Sequence, residues 1–211
     1  MPGVAWPIEA PEKKLALRAT LPGALLFDFV ADSLHAAKAA GLPMFDRLRL
    51  ALPASWLVNS PSSSLVLRRW ALPPHRDTWL VLLRLLDRGP ETWAADPASH
   101  PVVAEAVAAL GNESYVVEAT SKVAALLAPE VVPLMPEKAR HFVLGAESAA
   151  DSQSFAAMVD WFVAATLSHR NALDEIAAKH DAVKLTGAAV LDRLLWFDSD
   201  GHRHFARERD S

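Results

Sequence analysis

"DSQSFAAMVDWFVAATLSHRNALDEIAAK", residues 151–179, is the longest periodic stretch of this chain. Phe155, Val159, Phe162, Thr166, His169, Leu173, Ile176 and His180 follow one another at intervals of three and four. That spacing lines one stripe of an α-helix, the stripe that buries itself on neighbouring elements. It predicts one long helix from near Asp151 to about Lys179, and with it a helical fold.

The same periodicity extends in both directions. "PGALLFDFVADSLHAAKAAG" sets Leu26, Phe29, Val30, Leu34 and Ala37 on one face and stops at Gly41. "MFDRLRLAL" predicts a short helix after Pro43, ended near Pro53, and "RDTWLVLLRLLDRG" a mostly buried one with Asp77 or Thr78 as N-cap and Gly89 as stop. "SHPVVAEAVAALG" begins near Ser99 or His100, with Pro101 in its first turn. Asn112 opens a helix through Lys122 to Ala128, Pro136 starts another that Gly145 ends, and Thr186 caps the last, "GAAVLDRLLWF". "SLVLRRWAL", within 52–74, reads as a strand or a short helix. The fold class is therefore all-α, an irregular multi-helix bundle with a minor β element at most near 52–74. We expect one domain over 1–211, with the Ser/Pro tract at 59–64 as the candidate boundary.

A chain of 211 residues buries roughly 70% of the surface its unfolded form exposes, so its core needs no staple. Cysteine is absent, which removes disulfides, thiolate metal sites and cysteine nucleophiles. The start, "MPGVAWPIEAPEKK", shows no secretory signal pattern, and "WLVLLRLL" is short of the about 20 residues that span a bilayer. The expectation is a cytoplasmic protein without membrane contact.

Charge is uneven. Pro43–Arg88 holds seven arginines against three aspartates, and Gly89–Asp200 holds sixteen acids against seven Lys and Arg. The basic segment either faces the acidic half of its own chain or meets a protein or anionic partner, nucleic acid being the weaker candidate at a net charge of −4. Within it, Arg68, Arg69 and Trp70 form the candidate binding surface, since Trp and Arg together mark interface hot spots. The remaining tryptophans read as core anchors.

No catalytic template stands out. The nucleophile elbow, the P-loop and G-x-G-x-x-G are missing. His169 and His180 lie about 16 Å apart along a helix, too far for one ion whose ligands sit about 2 Å away. Asp198, Asp200, His202 and His204 in the polar tail are terminal, so we expect no metal and no cofactor. Glu118 and Lys122, one turn apart, read as a helix ion pair.

Lys122, Pro129, Pro133, Leu144 and Gly145, followed by Leu191, Asp192, Leu194, Leu195 and Trp196, resemble the pattern of an uncharacterised bacterial all-helical family. The likeness covers about the C-terminal 90 residues. The same stretch is distantly similar to the core of helix-hairpin-helix DNA glycosylases, which implies Lys122 and Glu137 as the reactive pair. The hairpin glycines of that family are replaced by "VVEATSK", and Pro136 stands where its helix-starting acid belongs. Without those glycines, backbone amides cannot close on a phosphate. The resemblance implies a shared helical scaffold. The functional expectation is a non-catalytic binding or protein-interaction module, with a nucleic-acid enzyme using Lys122 and Glu137 as the alternative.

Overall fold

The computed structural model describes residues 10–20, 22–57, 70, 72–179 and 185–201. Eleven α-helices occur among them: α1 Pro11–Arg18, α2 Pro22–Ala39, α3 Met44–Leu57, α4 His75–Leu86, α5 Pro90–Ala95, α6 Ser99–Leu110, α7 Ser114–Leu127, α8 Glu137–Leu144, α9 Ser152–Ser168, α10 Arg170–Lys179 and α11 Gly187–Trp196. A π-helical turn, Phe197–Gly201, follows α11. No strand occurs among the described residues. Most of 52–74, including the 59–64 tract, lies outside them.

Local chemistry sets most of the boundaries. Asp151 accepts a hydrogen bond from the Ser154 amide at 2.8 Å, and Thr186 accepts one from Ala189 at 3.2 Å; both satisfy amides that a helix start leaves free. At the end of α2, Leu42 N–H reaches Ala37 O and Gly41 N–H reaches Lys38 O, each at 2.9 Å. This paired closure needs the positive φ of 81° that Gly41 supplies.

Four boundaries differ from the sequence expectation. The stretch 151–179 is two helices, because the chain leaves helical geometry at His169 and starts again at Arg170. Just before the break, the Ser168 hydroxyl donates to Ala164 O at 2.7 Å, a back-bond that competes with the helix ladder and bends it. Pro53 does not end α3; it sits on the exposed side, where solvent reaches the carbonyl its missing N–H leaves over. The helix expected to open at Asp77 or Thr78 begins at His75, and Asp77 is held by Arg76 instead of capping. Asn112 does not open α7. Its Oδ1 accepts the Ser152 amide at 3.0 Å, tying the approach to α7 to the start of α9.

Two helices form the centre. α9 is buried on nearly every side and packs on α5, α6, α7, α8, α10 and α11, while α7 packs on α2, α3, α6 and α9. One apolar cluster runs from Leu15 to Leu195. Trp70, Trp79, Trp93 and Trp161 are all inside it, the first two edge to face with ring centroids 5.2 Å apart. The arrangement leaves one seam that matters below. α2 rests on α3 and α7, α11 rests on α1, α9 and α10, and an ion pair from Arg193 to Asp28 joins α11 to α2.

Candidate functional site

Along α2, Asp28, Asp32 and His35 stand at i, i+4 and i+7 and so share a face. That face is not the one the apolar spacing marked. Leu34 of that set is buried, but Phe29 is 70% exposed and Leu26 is exposed too, while Phe27, outside the set, is buried. The helix is turned so that Asp28 points inward, and the reason is two arginines. Arg18, at the end of α1, donates through Nη1 to Asp28 Oδ2 at 2.6 Å. Arg193, on α11, places Nη2 3.1 Å from the same oxygen. Their residues are only 4% and 8% exposed. Guanidinium groups that deep demand a counter-charge, and Asp28 supplies it to both. Arg18 also lies 5.8 Å over the Trp196 ring.

Between α2, the C-terminal end of α7 and α11 lies a cavity of about 70 Å³. Asp28, Asp192 and Arg193 form its polar wall, with Asp32 and His35 on the more exposed α2 side and Phe27, Ala125 and Val132 as apolar lining. Asp192 accepts the Leu134 amide through Oδ1 at 2.8 Å. Burial pushes its carboxyl up to about 6, outweighing the pull of the Leu134 amide and the nearby arginines. Burial also raises Asp32, with Asp28 adding to the rise and Arg193 and His35 opposing it.

The charge count is unequal. Among the described residues, three carboxylates face two guanidinium groups, and both guanidinium groups are bonded to one carboxylate, Asp28. Asp192 and Asp32 feel the arginines only at longer range. The arrangement can hold a hydrogen-bond donor or a positive charge brought from outside. It offers little to an anion, whose arrival would have to displace Asp28.

The residues singled out by sequence fall elsewhere. Trp70 is 0% exposed and donates through Nε1 to Leu110 O at 3.3 Å, so as folded it is a core ring and no surface anchor. Arg68 and Arg69 lie outside the described residues. Lys122 is half-buried on α7, where burial lowers its ammonium below the usual lysine range and Glu118, one turn back, opposes that shift. Glu137 is exposed in the first turn of α8, and neither lines the Asp192 cavity.

Three of the described arginines of Pro43–Arg88 pair inside their own segment. Arg47 reaches Asp87 at 2.9 Å, Arg76 reaches Asp77 at 3.0 Å and Arg49 lies 3.9 Å from Asp46, while Arg88 meets Asp96 of the acidic half at 3.1 Å. In the tail, Asp198 is 2.5 Å from Lys14; His202 and His204 lie outside the described residues. No group of three metal-ligating side chains occurs among the described residues, and none of their helices is long and apolar enough to cross a membrane.

Asp28 and Asp32 escaped the sequence reading. The available signal was their i, i+4 spacing on an otherwise apolar helix, and it needed Arg18 and Arg193 to give it meaning. Compared with known proteins, the chain matches no family model, no curated protein and no solved structure.

Proposed function

We propose that this protein is a non-catalytic binding module whose cavity between α2, α7 and α11 takes the cationic head group of a small molecule, an ammonium or a guanidinium. One observation carries the reading. Asp192 presents a carboxyl in the cavity wall that receives a backbone amide, while both buried arginines are spent on Asp28. An arriving cation supplies the counter-charge that Asp192 and Asp32 lack, and it does so where low dielectric strengthens the attraction. Size points the same way. A cavity of about 150 Å³ holds benzene, so about 70 Å³ suits a head group of a few heavy atoms with the rest of the ligand outside.

Calorimetric titration with methylammonium, butylammonium and guanidinium chlorides tests this. Asp192 must be ionised to attract a cation, so affinity rises with pH through about 6. Binding at pH 5 is expected to be about tenfold weaker than at pH 8, following the ionised fraction of a group titrating near 6. Asp192→Asn is expected to lose at least that factor at pH 8 and to flatten the pH profile. A parallel titration with single- and double-stranded DNA at low ionic strength serves the competing view, because phosphate contacts are strongest there. DNA binding with no response to any of the three cations would reject the proposal.

A further inference from the structure

Thr186 has hollows on both sides. One is the Asp192 cavity; the other is a groove of about 220 Å³ bordered by α5, α9, α10 and the first turn of α11. Among the described residues, Glu91, Glu130 and Asp174 line this groove with a single cation, Arg170. Arg170 donates to Glu91, and neither Glu130 nor Asp174 forms an ion pair with another described residue. Asp174 lies against the start of α11, close enough that a Cβ on Gly187 would come within 2.7 Å of its Oδ1.

A second observation is independent of these charges. Thr166 lines the groove, is 6% exposed, and its buried Oγ1 has no hydrogen-bond partner among the described residues. A helical threonine in this position ordinarily donates to the carbonyl one turn back, as Thr120 does to Val116 O at 2.8 Å. A buried hydroxyl without a partner is costly, and a ligand N–H donating to it would remove the cost.

We propose that the two hollows are two ends of one binding site, and that the ligand is a linear dication of the α,ω-diamine class. One ammonium meets Asp192 and Asp32; the other meets Glu130, Asp174 and the Thr166 hydroxyl, with the methylene chain crossing Thr186. This rests on the reading in which the first cavity takes a cationic head group, and it adds the identity of the ligand's other end. An overall charge of −4 favours the approach of such a ligand.

The test compares linear monoamines with diamines of three to eight carbons, at equal carbon number, by calorimetry at pH 8. At least one diamine is expected to bind about tenfold or more tighter than its monoamine, the second contact acting at high effective concentration. Glu130→Gln with Asp174→Asn should erase that gain, and the monoamine binding that remains should still depend on Asp192. Thr166→Val preserves shape and removes an unpaired hydroxyl, so it should fold at least as well as the parent and lose part of the gain. Asp192→Asn should weaken both ligand series. Equal affinity for monoamines and diamines would overturn the two-ended site and leave the cationic head-group reading standing. A gain that survives in the Glu130/Asp174 variant, or is untouched in Thr166→Val, would also overturn it. Failure of both series to bind would defeat both proposals together.

Discussion

Asp28→Ala is expected to lower the unfolding free energy by about 3–5 kcal/mol, the cost of leaving buried charges without their partner. The substitution deletes a small side chain, so packing alone would not produce an effect of that size. The loss comes from Arg18 and Arg193, both buried, both bonded to the same Asp28 oxygen. Urea unfolding at pH 7, followed by tryptophan fluorescence, measures it. Replacing Arg18, Asp28 and Arg193 together with apolar residues of similar volume should restore much of the stability, since an all-apolar cluster has no charge to compensate. A loss below about 1 kcal/mol in Asp28→Ala, the range of exposed pairs, would mean that the arginines find water or other acceptors and that the cluster does not hold α2 to α11.

Asp192→Asn is expected to act in the opposite direction. The folded carboxyl titrates near 6, above its ordinary 3.8, so the fold favours the neutral form. The stability this contributes is complete below about pH 4 and is lost as the pH rises through 6. That difference corresponds to about 3 kcal/mol at neutral and higher pH. The asparagine keeps an acceptor for the Leu134 amide and carries no charge, so the variant should exceed the parent by up to this amount at pH 8 and match it near pH 4. Asp32, also raised by burial, contributes a slope of the same sign that remains in the variant. A residue whose removal stabilises the fold while weakening ligand binding is what a site held at the expense of stability produces. Equal pH dependence in parent and variant would show that the carboxyl is solvated and unperturbed.

The helical class was legible because its signals are local. Periodic apolar residues, the caps at Asp151 and Thr186 and the stops at Gly41 and Gly145 each act within a turn or two. The rotation of α2 was not, because Phe27 and Phe29 flank Asp28 and either could have faced the core. What decides between them is Arg18 and Arg193, one ten residues away and the other on the last helix. Trp70 misled for a related reason. Two arginines precede it in sequence, which suggested a surface, yet its ring packs on Trp79 and its N–H is satisfied by Leu110.

Lys122 and Glu137 were paired through the distant glycosylase resemblance, not by any local signal. Lys122 is electrostatically coupled to Glu118 on its own helix, and Glu118 also lies 3.8 Å from Arg140 on α8. Asp192 was visible in the sequence as one member of the closing helix pattern. Its burial, and the cavity beside it, exist only once α2, α7 and α11 meet. A helical core builds such a site from side chains on separate helices, without a contiguous motif.

The most direct measurement is the titration of the Asp192 side-chain carboxyl carbon by NMR, with and without butylammonium. The predicted result is a midpoint near 6 in the free protein that moves to lower pH as the amine is added, because a bound cation stabilises the ionised carboxylate. A midpoint that stays where it is at saturating amine, or one already in the ordinary aspartate range, would contradict a cavity built to receive a positive charge.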